Sequence, residues 1–218
     1  MTGPDPVADS SPVSPPGAAR PRVVLATRNR HKIDELHAIL AATGVEVELL
    51  GVGDFADLPD VRETGVTFAE NALLKAVDVA GRTGLPAIAD DSGLCVDVLG
   101  GAPGIFSARW AGKHGDDKAN LDLLLAQLAD VADSHRQAHF ACAAALALPG
   151  GGQVVREGRI DGTLLHAPRG TNGFGYDPIF RPDGYDRTTA EMPAEEKNAI
   201  SHRTRAFQAL AKDLATLL

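Results

Sequence analysis

Apolar positions along the chain follow two rhythms. The run Arg22-Val23-Val24-Leu25-Ala26-Thr27 reads as a short buried strand, and from His31 to Thr43 the residues Ile33, Leu36, Ile39 and Leu40 recur at helical spacing before Gly44. Val45 to Leu50 predicts a second strand. After a connection rich in Gly, Asp and Pro, Thr67-Phe68-Ala69-Glu70 carries the pattern of a capping box and opens a helix expected to run to about Gly81. Pro86-Ala87-Ile88-Ala89 predicts a strand that stops at Asp90 and Asp91. Both carboxylates are therefore expected at a strand end, on a turn Asp90-Asp91-Ser92-Gly93, with an alternating segment resuming from Leu94 to Leu99.

Leu121, Leu124, Leu125 and Leu128 share one face of a helix expected from Asp117 to Leu128. His139 to Leu148 and Gln153 to Leu165 read as two long strands joined at Gly150-Gly151-Gly152. A Gly-rich stretch from Gly170 to Asp177 precedes the short apolar run Pro178-Ile179-Phe180, and a last helix carries Phe207, Leu210, Ala211, Leu214 and Leu217 on its apolar face. Helices and strands alternate early and a hairpin interrupts later. The fold class is thus α/β, a mixed sheet with flanking helices, with ligands expected where strand ends and loops converge.

Composition narrows the function. The chain has 218 residues and a formal net charge of −8, which excludes a general nucleic-acid surface because binding to phosphate backbones needs a broad excess of Lys and Arg. A small anionic ligand would need a local basic cluster, assisted by a metal cation. The first 21 residues hold six prolines and no continuous apolar stretch, so 1–21 reads as a disordered Pro-rich tail and 22–218 as the folded domain. No apolar run is long enough to span a membrane. Cys95 and Cys142 make neither a disulfide framework nor a CxxC pair, which suits the cytoplasm.

Four segments could carry chemistry. Thr27-Arg28-Asn29-Arg30-His31-Lys32 leaves a strand and enters a helix, where free backbone N–H groups and the helix dipole favour an anion; taken alone it reads sooner as an ordinary helix start with a solvated basic face. No GxxxxGK[ST] spacing occurs, so a P-loop is excluded. Asp90 and Asp91 beside an apolar strand are costly unless a cation shares them, and Mg²⁺ takes such oxygens while keeping waters and bridging to phosphates; alone they are equally an Asp-rich turn with Gly93 at positive φ. Glu63 is a further candidate ligand, and Lys75, by default a solvated lysine, could be aimed at phosphate. Gly173-Phe174-Gly175-Tyr176-Asp177 would let backbone approach a flat ligand, with Phe174 stacking on a base. Lys197, followed by Ser201-His202-Arg203, offers cations for a phosphate or a base carbonyl, although alone such residues suit the polar face of a helix. His166 is solitary and receives no role.

Together these residues resemble one family. Thr27-x-Asn29-x-x-Lys32, Phe68-x-Glu70-Asn71-Ala72-Leu73-x-Lys75-Ala76, Ala89-Asp90-Asp91-Ser92-Gly93-Leu94, Gly100-Gly101-Ala102-Pro103-Gly104, Phe174-Gly175-Tyr176-Asp177 and Ser201-His202-Arg203 are similar to the motifs of the inosine triphosphate pyrophosphatases, or dITP/XTP pyrophosphatases, which act on non-canonical purine nucleotides. The resemblance runs from Val23 to the C-terminus. It implies Mg²⁺-dependent hydrolysis of ITP, dITP or XTP to the monophosphate and pyrophosphate, in a homodimer whose protomer has two lobes around a central cleft. It also implies Asp91 as general base and metal ligand, Glu63 as metal ligand and Thr27 to Lys32 as phosphate loop. Lys75 and Ser92 become substrate contacts, and Phe174, Gly175, Tyr176, Asp177, Lys197, His202 and Arg203 the base and sugar side. Arg28 departs from the pattern, in which many relatives have Gly; at positive φ it would be strained, otherwise it could add a cation. A related-fold pyrophosphatase for modified pyrimidine nucleotides, or a nucleotide sensor without turnover, remain the alternatives.

Overall fold

The structure is a computed structural model that describes residues 20–28, 30–56 and 58–217, with backbone only for Arg30, His31, Lys32 and Asp34. Most of the expected tail therefore lies outside the described residues.

Six strands form one sheet in the order β2-β1-β3-β4-β5-β6: β1 Arg22–Leu25, β2 Glu48–Gly51, β3 Ala87–Val96, β4 Gln137–Ala147, β5 Gln153–Leu164 and β6 Phe180–Pro182. Strand β1 runs parallel to β2 and β3, and the rest of the sheet is antiparallel. The mixed α/β expectation stands. Helix α1 Arg30–Ala42 and the last helix α5 His202–Leu217 cover one face, joining Val23, Leu25, Ile88, Cys142, Ala144 and Leu146 in one core. Helix α2 Phe68–Thr83 covers the other, over Val24, Ala87, Ala89, Ala143, Ala145 and Ala147. Alanine is a poor strand former, yet alternate small side chains on β4 let helices approach both faces; burial overrides propensity. A third core lies at the far end of the hairpin, where Leu94, Val96, Ala138 and Ile160 meet Leu121 and Leu124 of α3 Asp117–Gln127 and Tyr176, Ile179 and Phe180. Two cores back one half of the long strands and the third backs the other half, which divides the molecule into two lobes.

The capping box forms as expected. Thr67 Oγ1 accepts from Glu70 N at 3.1 Å, Glu70 Oε2 accepts from Thr67 N at 3.2 Å, and α2 ends at Gly84 in the left-handed region. Two expectations need correction. The aspartates do not sit on a turn. Strand β3 runs unbroken through Asp90-Asp91-Ser92-Gly93 and pairs with β4 along its whole length, from Ala87↔Ala147 to Val96↔Ala138. Gly93 is needed for space rather than for positive φ: a Cβ there would lie 2.4 Å from both the Gly104 carbonyl oxygen and Ser107 Oγ. The C-terminal motif lies on and just before the last helix, as its sequence suggests: Lys197 is on α4 Ala194–Ile200 and His202 and Arg203 open α5. The break falls at Ser201, whose extended backbone lets its Oγ accept from Thr204 N at 3.0 Å. Finally, Leu217 is 44% exposed and does not join the apolar face of α5.

Candidate active site

A cavity of about 960 Å³ opens between the lobes. Thr27, Arg28, Glu63, Lys75, Asp91, Ser92, Phe174, Gly175, Tyr176, Asp177, Lys197, His202 and Arg203 all line it, so the structure brings together residues spread over nearly the whole chain. Asn29 and the side chains of Arg30, His31 and Lys32 lie outside the described residues.

The two carboxylates of β3 separate because side chains alternate across a strand. Asp91 faces α2: its Oδ2 accepts from Asn71 Nδ2 at 3.2 Å, and its Oδ1 lies 3.7 Å from Lys75 Nζ. Lys75 also donates to Glu63 Oε1 at 2.9 Å, so one ammonium joins two carboxylates that come from a loop and a strand. Burial alone would lower the Lys75 pKa, but Asp91, Asp90 and Glu63 outweigh it and hold the amine above the ordinary lysine range. Lys75 is not the solvated lysine of the default reading; its side chain is 14% exposed.

Asp90 faces α5 and does not line the cavity. Its Oδ2 accepts from Arg203 Nε at 3.4 Å and from Ser92 Oγ at 3.2 Å. Arg203 is 3% exposed; it also donates to Ser92 Oγ at 3.1 Å and to Glu35 Oε2 of α1. Burial opposes its charge, yet Asp90 and Glu35 raise its pKa further. Glu35 Oε1 also lies 3.5 Å from Lys197 Nζ. One carboxylate of α1 thereby steadies two cations.

On the far lobe, Asp177 is a buried junction. Its Oδ2 accepts from Lys197 Nζ at 2.7 Å and from Phe174 N at 2.9 Å, and its Oδ1 from Thr189 Oγ1 at 2.8 Å. Gly173, at φ +74°, permits this wrap, since a Cβ there would come within 2.1 Å of Asp177 Oδ2. Lys197 Nζ stands 5.0 Å from the Phe174 ring centroid, and His202 stacks on Phe140 at 5.0 Å and 13°. Tyr176 is buried, which raises its phenol pKa, and its hydroxyl donates to the Ser107 carbonyl at 2.9 Å. Asp117 Oδ2 accepts from Gly175 N at 3.0 Å. Arg28 turns to the connection after β2, donating from Nε to Asp60 at 2.7 Å and from Nη2 to the Leu58 carbonyl.

The sequence profile of the Ham1 family matches residues 23–213. The chain belongs to the Ham1 family. A dITP/XTP pyrophosphatase of Streptomyces coelicolor is 68% identical over 197 residues, covering 90% of this chain and 98% of that protein. Among solved structures, a Ham1 protein of Coxiella burnetii is 42% identical with a TM-score of 0.82, covering 90% of this chain and 99% of that one. A nucleoside-triphosphatase / dITP/XTP pyrophosphatase of Mycobacterium abscessus is 52% identical with a TM-score of 0.73, covering 87% of this chain and 97% of that one.

Sequence reasoning assigned no part to several residues of this Ham1 site. Glu35, Asn71, Arg109 and Asp117 each contact a residue of the cleft. Glu35 directly precedes the inward Leu36 on α1, a charged residue at the border of an apolar stripe, which is a usable signal. Arg109 has none, because only the fold brings it to Glu63.

Proposed function

We propose that this Ham1 protein hydrolyses ITP, dITP and XTP to the nucleoside monophosphate and pyrophosphate, with Mg²⁺. The observation that carries the reading is the convergence of Asp91 and Glu63 on one point of a cleft whose other end holds Lys197, His202 and Arg203. The similarity to the dITP/XTP pyrophosphatases of Streptomyces coelicolor and Mycobacterium abscessus supports it.

The residues present suit the metal. Asp91 Oδ1 and Glu63 Oε1 already converge on the cation of Lys75, at 3.7 and 2.9 Å. Among the described residues no group of three or more His, Cys, Asp or Glu fit to hold an ion occurs, and the carboxylates that converge at this point of the cleft are those of Asp91 and Glu63. Such a set matches Mg²⁺, which keeps several waters and takes phosphate oxygens. When bound by Asp91 and Glu63, Mg²⁺ supplies positive charge to those oxygens.

Asp91 orients a water for in-line attack at the α-phosphorus and takes its proton. The new bond joins the water oxygen to phosphorus, the bond to the α–β bridging oxygen breaks, and pyrophosphate leaves with the electron pair. We assign the base to Asp91 rather than Asp90 because Asp91 lines the cleft while Asp90 is paired beneath it with Arg203. Lys75 neutralises charge at the breaking bond, which is electrostatic catalysis with positioning. Lys197, His202 and Arg203 would hold the base side of the substrate and favour a 6-keto oxygen, which accepts a hydrogen bond where the amino group of adenine offers only donors. Cys95 and Cys142 are buried thiols outside any disulfide, which suits the cytoplasm, and a homodimer is the assembly we infer from the resemblance.

The test is product analysis over a panel of nucleotides. Release of pyrophosphate from ITP, dITP and XTP, nearly abolished by Asp91→Asn, is expected. Orthophosphate as product, a preference for UTP analogues, or unchanged turnover in the variant would refute it.

A further inference from the structure

Arg109 belongs to the cleft but to none of the roles above. It ends the 3₁₀ segment Gly104–Arg109, and its Nη1 lies 3.6 Å from Glu63 Oε2 while Lys75 holds Oε1 of the same carboxylate at 2.9 Å. A single carboxylate thus separates Arg109 from the lysine assigned to the breaking bond. The guanidinium carbon stands 5.4 Å from the Phe106 ring centroid, and the side chain is 32% exposed, towards the cavity it lines.

The segment carrying it is tied to the strand of Asp91. Ser107 Oγ accepts from Leu94 N at 2.9 Å and donates to the Gly104 carbonyl at 2.6 Å. Gly93 leaves no room for a side chain beneath that segment, and Tyr176 bonds the Ser107 carbonyl from the far lobe. Such anchoring preorganises a charge. The other arginines of the cleft with described partners are committed elsewhere: Arg203 to Asp90 and Glu35, and Arg28 to Asp60 and the Leu58 carbonyl. The contact of Arg109 with Glu63, at 3.6 Å, is longer than a hydrogen bond and leaves its N–H fork able to turn to a stronger anion.

We propose that Arg109 is a catalytic residue that contacts the pyrophosphate half of the substrate, holding Glu63 in the free protein and the departing β- and γ-phosphate oxygens during turnover. The proposal rests on the hydrolysis assigned above, and it concerns the phosphate half alone; the monophosphate product should be indifferent to it.

The experiment is calorimetric titration of the full-length protein with inorganic pyrophosphate and, separately, with xanthosine monophosphate, both with Mg²⁺, for wild type, Arg109→Lys and Arg109→Gln. Thermal melts establish that each variant is folded. Pyrophosphate affinity should fall about tenfold or more in Arg109→Gln and less in Arg109→Lys, because a bidentate charged contact is lost in the first and a point charge remains in the second. Monophosphate affinity should hold within about twofold. Steady-state kinetics with XTP should show a parallel loss of kcat/KM of about tenfold to a hundredfold. Unchanged pyrophosphate affinity in a folded variant overturns the proposal, as does an equal fall for both ligands. Wild-type protein that binds pyrophosphate but releases none from XTP would refute the assigned reaction, while the titrations still decide Arg109.

Discussion

Asp90 and Asp91 are consecutive residues whose carboxylates serve opposite faces of one strand. Asp90 Oδ2 lies 3.4 Å from Arg203 Nε on α5, and Asp91 Oδ1 lies 3.7 Å from Lys75 Nζ on α2. One holds the sheet to its last helix, and the other looks into the cleft.

This division predicts opposite outcomes for two similar substitutions. Asp90→Asn leaves the buried Arg203 short of a counter-charge and should destabilise the fold by about 3 kcal/mol, read from urea denaturation. Asp91→Asn should nearly abolish pyrophosphate release with a smaller change in stability. Loss of turnover from Asp90→Asn at unchanged stability would reverse the two roles.

Gly93→Ala tests the close approach of the Gly104–Arg109 segment. The added methyl would lie 2.4 Å from the Gly104 carbonyl oxygen and from Ser107 Oγ, so strand or segment must move. A cost of about 1–3 kcal/mol is expected, with reduced turnover because the same strand carries Asp91. A variant as stable as wild type would show that the segment yields freely.

The cap of α2 offers a change that spares the chemistry. Thr67→Ala removes the acceptor for Glu70 N and should lower stability by about 1 kcal/mol, visible as a lower melting temperature. Activity at 25 °C should remain near wild type, since the substitution keeps the Thr67 carbonyl that accepts from Asn71 N, and Lys75 sits two turns into the helix.

His139 gives the protein a pH dependence. Burial, with Arg159 adding to it, lowers its pKa against the opposing pull of Asp97 and Asp161. Below about pH 6.5 the unfolded chain protonates this histidine while the folded one resists, so the unfolded state binds more protons and stability declines as pH falls. Denaturation midpoints measured from about pH 7 to pH 5 should drop less steeply for His139→Gln than for wild type. Equal slopes would place the titration elsewhere.

Much of this protein is legible in its residues alone. Local periodicity marked the helices and the hairpin, because 3.6 and 2 are set by backbone geometry and need no partner. The Thr67-x-x-Glu70 cap was readable for the same reason: donors and acceptors lie within one turn. Co-occurring motifs from Thr27 to Arg203 identified the chemistry before any of them could be placed in space. Tertiary structure alone decided what Asp90-Asp91-Ser92-Gly93 is. Four polar or small residues look like a turn, yet pairing with β4 makes them strand, and the alternation of that strand sends one aspartate to Arg203 and the other to Lys75. It likewise brought Glu35 to Arg203, 168 positions away, and Arg109 to Glu63. The physical reason is common to these cases. A lone charge or a glycine carries no periodic signal, and its partner is chosen by which faces the packed sheet and helices bring together.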